Sequence, residues 1–378
     1  MMNWRVPLSD IKFGKEEKDA VQAVLESGWL TMGSVTQNFE EEFKSYTGAK
    51  HALAVSNATV ALHMACIALG LRPGDEVIVP SLSFVATANC VRYTGATPVF
   101  ADINGENDLT ISLASIQSLV NHRTKAIIVM HYGGYTCDMT GILEWARSQH
   151  LPVIEDAAHA VGSYLDNKHL GTLGVAGCFS FFSNKNLSTG EGGMIVTNDD
   201  AMAEKFKLLR SHGMTSLTWD RHQGHAWSYD VVDTGYNYRI DEIRSALGRE
   251  QLRKLEHFNS RRREIATTYR NLLADLTPEI TVPFRDHPGI SAHHILPVLL
   301  PAGTDRLSFM ERMKEQGIQT SIHYPPIHLF TSFTDRNIKS DLPITEDIAR
   351  REVTLPLYPL LTDDQVDLVA HAVRSSLT

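Results

Sequence analysis

Between residues 50 and 200 short apolar runs alternate with helix-length segments. The runs are Ala52-Leu53-Ala54-Val55, Val77-Ile78-Val79, Pro98-Val99-Phe100, Ala126-Ile127-Ile128-Val129-Met130, Val153-Ile154 and Met194-Ile195-Val196, each closed by turn-forming or polar residues. Strands that are apolar throughout are covered on both faces, so the alternation predicts a largely parallel central sheet with helices on either side. Ligands of such sheets bind beyond the carboxyl ends of the strands. Ser56-Asn57, Ser81, His131 and Asp156 follow or closely trail these runs and are expected to converge on one crevice.

After Arg239-Ile240 the pattern becomes helical, with Ile243, Leu247, Leu255, Phe258, Ile265, Tyr269 and Leu272 at three- or four-residue spacing and Asp241 as the expected N-cap. The apolar run Ile295–Leu300 and a helix-like stretch ending near Gly317 read as a smaller α+β unit. Two domains are therefore expected: residues 1–245, with an N-terminal segment and the large α/β domain, and residues 246–378, with a long connecting helix and a small C-terminal domain. The helical segment Lys15–Glu26 is expected to pack with the second unit.

The chain has 378 residues, 43% of them hydrophobic, and a net charge of -9 spread without a long acidic or basic block. That distribution argues against a nucleic-acid groove or a membrane-binding basic patch and favours small-molecule chemistry. Cys66, Cys90, Cys137 and Cys178 form no Cys-x-x-Cys pair, so buried thiols are expected, with no metal site and no disulfide framework. The opening Met1-Met2-Asn3-Trp4-Arg5 lacks a signal peptide's apolar run and no later segment reads as a membrane span, which points to the cytoplasm.

Three features carry the chemistry. Ser56-Asn57-Ala58-Thr59 follows a strand and opens a helix, so its first amides and the Thr59 hydroxyl can hold a phosphate, although most such turns are ordinary caps. Asp156 ends the run Leu151-Pro152-Val153-Ile154-Glu155-Asp156 and reads equally as a helix-capping carboxylate. Lys185 lies between Ser180 on an approaching strand and Gly190, Gly192 and Gly193, glycines that permit tight turns; alone it also reads as an exposed loop lysine. In combination, an amine for an aldehyde, an anion for a ring nitrogen and amides for a phosphate point to pyridoxal 5'-phosphate.

Seven motifs give the chain a resemblance over nearly its whole length: Ser27-Gly28-Trp29-Leu30-Thr31, Pro73-Gly74-Asp75-Glu76-Val77, Glu155-Asp156-Ala157-Ala158-His159, the Lys185 segment, Gly235-Tyr236-Asn237-Tyr238-Arg239, His323-Tyr324-Pro325-Pro326-Ile327-His328 and Leu355-Pro356-Leu357-Tyr358-Pro359. The sequence resembles the DegT/StrS-type sugar aminotransferases, which have the aspartate-aminotransferase-like fold and use pyridoxal phosphate. The resemblance implies Lys185 as the Schiff-base lysine, Asp156 as partner of the pyridinium, Ala58, Thr59 and Ser180 at the phosphate, and Phe84 stacked on the ring. Phe84 by itself would read as a core residue. The resemblance also implies a homodimer with shared active sites, in which Asn237 serves the neighbouring subunit; Arg239 adds charge there or forms a structural pair. His159 stands where many relatives have a glutamine that touches the cofactor's phenolic oxygen, and an imidazole can donate the same bond. Thr31 and His323 are candidate substrate contacts. His323 and His328 also read as structural beside their prolines.

The reaction implied has two halves: L-glutamate gives its amino group to the cofactor, and a nucleotide-linked keto-sugar receives it, with Lys185 moving the protons. The Lys185 segment looks more like relatives acting at C4 of 4-keto-6-deoxyhexoses than like the C3 group. A C3 sugar or aminocyclitol aminotransferase is an alternative. A sugar dehydratase of the same family would typically have histidine in place of Lys185, and a non-catalytic regulatory homologue would not be expected to keep both Lys185 and Asp156. A nicotinamide dehydrogenase is disfavoured because Gly171-x-x-Gly174-x-x-Gly177 has the wrong spacing for a dinucleotide fingerprint.

Overall fold

In a computed structural model of the chain, residues 4–216, 224, 228–276, 280–334 and 341–377 are described. The strands of the first half are β1 (His51–Val55), β2 (Glu76–Pro80), β3 (Thr97–Ala101), the short pair β4 (Ile103–Gly105) and β5 (Asp108–Ile111), β6 (Thr124–Met130), β7 (Val153–Asp156), the pair β8 (Tyr164–Leu165) and β9 (Lys168–His169), β10 (Ala176–Ser180) and β11 (Gly193–Thr197). Seven of them form one sheet in the order β1-β11-β10-β7-β6-β2-β3. Only β11 runs against its neighbours, so the sheet is largely parallel, as the apolar runs predict.

Side-chain alternation sends successive strand residues to opposite faces. Val77 and Val79 of β2 and Ile128 of β6 pack under the helices Ala58–Ala68, Ala86–Tyr93 and Asp200–Arg210. Ile78 and Ile127 point the other way, under the helix Met139–Ser148. On that second face Phe43 of the helix Ser34–Thr47 meets Phe179 of β10 with ring centroids 5.1 Å apart. Full burial of such a ring contributes roughly 1.5–3 kcal/mol, and this layer holds the carboxyl end of β10 in place.

Asp241 caps the long helix Glu242–Leu272, accepting from the Arg244 amide at 2.9 Å, as the pattern predicts. Its neighbour Glu242 is buried and accepts from the amides of Gly33, Val35 and Thr36, so a carboxylate of one helix neutralises the positive start of another. The N-terminal helix Lys15–Ser27 lies along the long helix through buried Glu17, which takes Lys254 Nζ at 2.8 Å and Gln251 Nε2 at 2.8 Å.

Beyond the long helix, β12 (Leu296–Leu299) pairs antiparallel with β13 (Glu352–Leu355). These strands share a core with Ile265 and Tyr269 of the long helix, with helices Arg306–Glu315 and Asp363–Leu377, and with Val6, which pairs with Ile318. Met130, Tyr132 and Tyr135 join Ile295 and Leu299 in a further cluster, which brings the start of β12 and the segment around Tyr324 over the carboxyl edge of the large sheet. Among the described residues no helix is long and apolar enough to cross a membrane. Cys66, Cys90, Cys137 and Cys178 are buried free thiols.

Candidate active site

Strand order decides what meets at that edge. Val55 and Ser180 both oppose Gly193 in register, one from each side, so the helix opening at Asn57–Thr59 and the end of β10 flank the same glycine. Cys178 and Met130 in turn oppose Asp156 from β10 and β6. After β10 the chain turns back at Lys185, whose amide donates to the Phe182 carbonyl at 2.9 Å, and the loop closes through Thr189 N–H to Phe181 O at 2.9 Å. The result is a cavity of about 460 Å³ whose walls include Ala58, Thr59, Phe84, Asp156, His159, Ser180, Lys185 and His323.

Residues singled out in the sequence and spread over more than half the chain, from Ala58 to His323, thus line one cavity. Thr31, Asn237 and Arg239 do not line this cavity; their backbones pair with Asp241, Ser211 and Val55. His328 is buried between Ser81, which lies 2.6 Å from its Nδ1, and Glu346, 3.3 Å from its Nε2, and it does not reach the cavity. Phe84 is no core residue: it is 56% exposed, with its ring 6.1 Å from that of Tyr324 across the mouth.

Asp156 is a buried carboxylate. Its Oδ2 accepts the Thr87 hydroxyl at 2.7 Å and its Oδ1 the Ala158 amide at 3.2 Å. Burial nevertheless pushes its pKa up, against the opposing effects of Thr87, Ala158 and Lys185. A positive N–H brought against it would offset that burial, and a protonated pyridine nitrogen supplies one. The neighbouring Glu155 has a different task. It accepts from the amides of Gly171, Leu173 and Gly174 and lies 2.9 Å from His131 Nε2, fixing the loop that leads into β10. Gly174 and Gly177 are glycines because a Cβ would stand 2.3 Å from the Val153 carbonyl oxygen and 2.0 Å from that of Gly171.

Gly193 shapes the opposite end. A Cβ there would lie 2.6 Å from the Asn57 carbonyl carbon and 2.8 Å from the Ala58 nitrogen. Its absence keeps the helix start close to β11, with Ser180 beside it. Asn57 caps that helix by accepting from Val60 N–H at 3.0 Å, which leaves the amides of Ala58 and Thr59 to an anion. A phosphorylated pyridine ring thus fits at both ends, phosphate at the Ala58 turn and ring nitrogen at Asp156.

Burial lowers Lys185 to about 8, Asp156 acting in the opposite sense. An amine so placed is within reach of its neutral form near physiological pH. His159 is pushed well below its usual range by burial, and its Nδ1 accepts from Gly133 N–H at 3.2 Å. The neutral ring must then carry its proton on Nε2, which lies 3.0 Å from the Tyr324 hydroxyl. His323 Nδ1 lies 2.8 Å from the Thr354 hydroxyl oxygen, which is 2.6 Å from Glu352 Oε1. Burial raises the Glu352 carboxyl to about 8 and lowers His323 to about 4.

Sequence reasoning missed Thr87, Tyr324, Glu352, Thr354 and His294, whose Nε2 is 3.3 Å from Lys185 Nζ. Tyr324 sits inside a motif that was read for its histidines. The only signal for His294 is a pair of histidines immediately before the apolar run of β12.

Comparison with known proteins gives a consistent picture. The family model described as "DegT/DnrJ/EryC1/StrS aminotransferase family" matches residues 12–374. The spore coat polysaccharide biosynthesis protein SpsC of Bacillus subtilis is 41% identical over 379 residues, covering 98% of this chain and 97% of that protein. The structure of Helicobacter pylori PseC, an aminotransferase involved in the biosynthesis of pseudoaminic acid, superimposes with a TM-score of 0.91 at 33% identity, covering 98% of this chain and 99% of the other. A putative sugar aminotransferase of Streptococcus pneumoniae, Spr1654, solved in its PMP form, gives a TM-score of 0.92 at 26% identity over 99% of both chains.

Proposed function

This chain belongs to the DegT/DnrJ/EryC1/StrS aminotransferase family and is a pyridoxal-phosphate-dependent sugar aminotransferase of aminosugar biosynthesis, and we propose that it moves the amino group of L-glutamate to C4 of a nucleotide-linked 4-keto-6-deoxyhexose. The observation that carries this reading is the meeting, in one cavity, of Lys185, buried Asp156 and the helix start at Ala58 beside Ser180. The likeness to PseC, an aminotransferase involved in the biosynthesis of pseudoaminic acid, and to the putative sugar aminotransferase Spr1654 supports a sugar acceptor.

In this reading Lys185 would bond to the cofactor's aldehyde, Asp156 would hold the ring nitrogen protonated, and Ala58, Thr59 and Ser180 would hold the phosphate, with Phe84 over the ring and His159 as a donor to the phenolic oxygen. When bound, the cofactor supplies an electron sink that acidifies the substrate carbon bearing nitrogen. The protein's part is to place a base beside that carbon. Lys185 Nζ, released as an amine near its neutral range, takes the proton there and returns it at the carbon that gains it. His323, in the cavity wall, hydrogen-bonds a hydroxyl of the sugar and orients it.

The reading extends to a homodimer in which Asn237, Thr31 and Arg239 serve the partner's site. Arg239 bears on this in that its Nη1 has no hydrogen-bond partner among the described residues. The division into residues 1–245 and 246–378 places the boundary in the first turn of the long helix, which is shared by both cores. The deciding experiment supplies pyridoxal phosphate, L-glutamate and nucleotide 4-keto-6-deoxysugars and locates the new nitrogen by NMR. An amine at C4 is expected. Amination only of 3-keto sugars or of a keto-cyclitol overturns the C4 assignment, and no amination of any keto-sugar overturns the acceptor class.

A further inference from the structure

Lys185 has a partner that its sequence context does not announce. Its Nζ lies 3.3 Å from Nε2 of His294, a residue buried at the start of β12. Which of the two donates decides whether the lysine can work as a base. A donor at His294 Nε2 would occupy the amine's single lone pair, the one that must take a proton. An acceptor there ties up an N–H instead and leaves the lone pair free.

The polarity is fixed from a distance. Asn259 donates from Nδ2 to the Val161 carbonyl at 3.0 Å, so its Oδ1 faces Asn186. Asn186 donates from Nδ2 to that Oδ1 at 2.8 Å and to the Ala292 carbonyl at 2.8 Å. With both amide hydrogens used, Asn186 presents Oδ1 to His294 Nδ1 at 3.0 Å, where only an N–H donor is compatible. Turning Asn186 over would set its oxygen against the Ala292 carbonyl and the Asn259 oxygen. Turning Asn259 as well would set a second oxygen against the Val161 carbonyl. Every member of this chain except Lys185 is buried, so a mismatched pair has no water to relieve it.

We propose that His294 is a positioning residue: held in its Nδ1–H tautomer by Asn186 and Asn259, it accepts an N–H of the released Lys185 amine and leaves the lysine lone pair for proton transfer. Two backbone carbonyls, of Val161 and Ala292, thereby set the direction of a hydrogen bond at the reacting amine. His159 lies beside His294 with ring centroids 4.3 Å apart and planes tilted by 49° and, with Nδ1 held by Gly133, offers the cavity a donor where His294 offers an acceptor. The charged or titratable groups facing His294 are Lys185, His159, His323 and Arg262, and burial with these neighbours keeps its ring neutral.

The inference rests on the reading of Lys185 as the reactive amine, and its test does not use turnover as the first readout. Imidazole-15N spectra of the cofactor-free wild-type protein, with His294 assigned by its loss in His294→Phe, report the tautomer directly. The expected result is a neutral Nδ1–H ring from pH 6 to 9, with an Nε2 shift that moves when Lys185 is replaced in Lys185→Met. An Nε2–H tautomer, an imidazolium at neutral pH, or an Nε2 shift indifferent to Lys185→Met overturns the proposal. In the holoenzyme, His294→Phe is expected to lower kcat about 10- to 100-fold through misplacement of the amine, with the KM for L-glutamate little changed. Unchanged kcat with a changed KM also overturns it. If borohydride fixes the cofactor to Lys185 while His294 proves Nε2-protonated, the relay fails and the reading of Lys185 stands.

Discussion

The Thr87 hydroxyl donates to Oδ2 of Asp156 at 2.7 Å, joining a helix that follows β2 to the end of β7, and Ser83 Oγ lies 2.6 Å from Thr87 Oγ1 behind it. The Thr87 hydroxyl thus favours the charged carboxylate in the cavity wall, against the burial that pushes its pKa up. A hydrogen bond to a charged group is worth about 1.5–3 kcal/mol. Thr87→Val should weaken pyridoxal phosphate binding about tenfold or more, and Asp156→Asn should weaken it further and slow turnover more than binding. Equilibrium dialysis of both variants checks the order. Equal affinity in the wild type and both variants would remove Asp156 from the cofactor.

Gly193 gives a second handle on the same cofactor. The methyl of Gly193→Ala would press on the backbone at Asn57 and Ala58, neither of which is the end of a flexible side chain. Overpacking of this kind costs about 1–3 kcal/mol. The helix start should shift, and affinity for pyridoxal phosphate should fall about tenfold or more while the far-ultraviolet circular dichroism is unchanged. Undiminished affinity would mean that the phosphate sits elsewhere.

Lys185 should cost the empty protein stability. Its folded pKa of about 8 lies below the ordinary lysine value of 10.5, so between those pH values the unfolded chain binds a proton that the folded chain does not, and stability rises with pH across that window. Below about pH 8 the full penalty is present. Lys185→Met should therefore make the cofactor-free protein more stable at pH 7 by about 1–3 kcal/mol, with the advantage shrinking above pH 8 and gone above pH 10.5. Urea titrations at three pH values measure it. A variant less stable at pH 7, or equally stable at every pH, contradicts the lowered lysine.

A site completed by the partner should be recoverable by mixing. Asn237 does not line its own chain's cavity, whereas Lys185 does. Lys185→Ala and Asn237→Ala should each be largely inactive as homodimers. Random mixing makes about half the dimers mixed, each with one intact site of two, so about a quarter of wild-type activity should return. No recovery, with mixed dimers shown to form, would place Asn237 outside the shared site.

The sheet was legible because strands buried on both faces leave continuous apolar runs, and Val77–Val79 and Ala126–Met130 are such runs. β10 was harder to see: Gly177 and Ser180 interrupt it, the first for close packing on Gly171 and the second for the site. The reversed direction of β11 has no local signature at all. Among the residues lining the cavity, Asp156 and the Ala58 turn declare themselves by their place at or just after strand ends, and Lys185 by its place in the glycine-rich loop between β10 and β11. Glu155 adjoins Asp156 in sequence, yet adjacent strand residues face opposite ways, and it serves the Gly171–Gly174 loop instead. Thr87, Glu352 and His294 could not be read locally, because each acts through a partner distant in sequence or through a hydrogen bond whose direction only packing fixes.

The most direct measurement is the site of covalent attachment of the cofactor. The protein loaded with pyridoxal phosphate is reduced with borohydride, digested and mapped by mass spectrometry, before and after incubation with L-glutamate. The expected result is a pyridoxyl group on Lys185 alone, lost after glutamate treatment with the appearance of 2-oxoglutarate. A label on another lysine, or none, contradicts the central assignment.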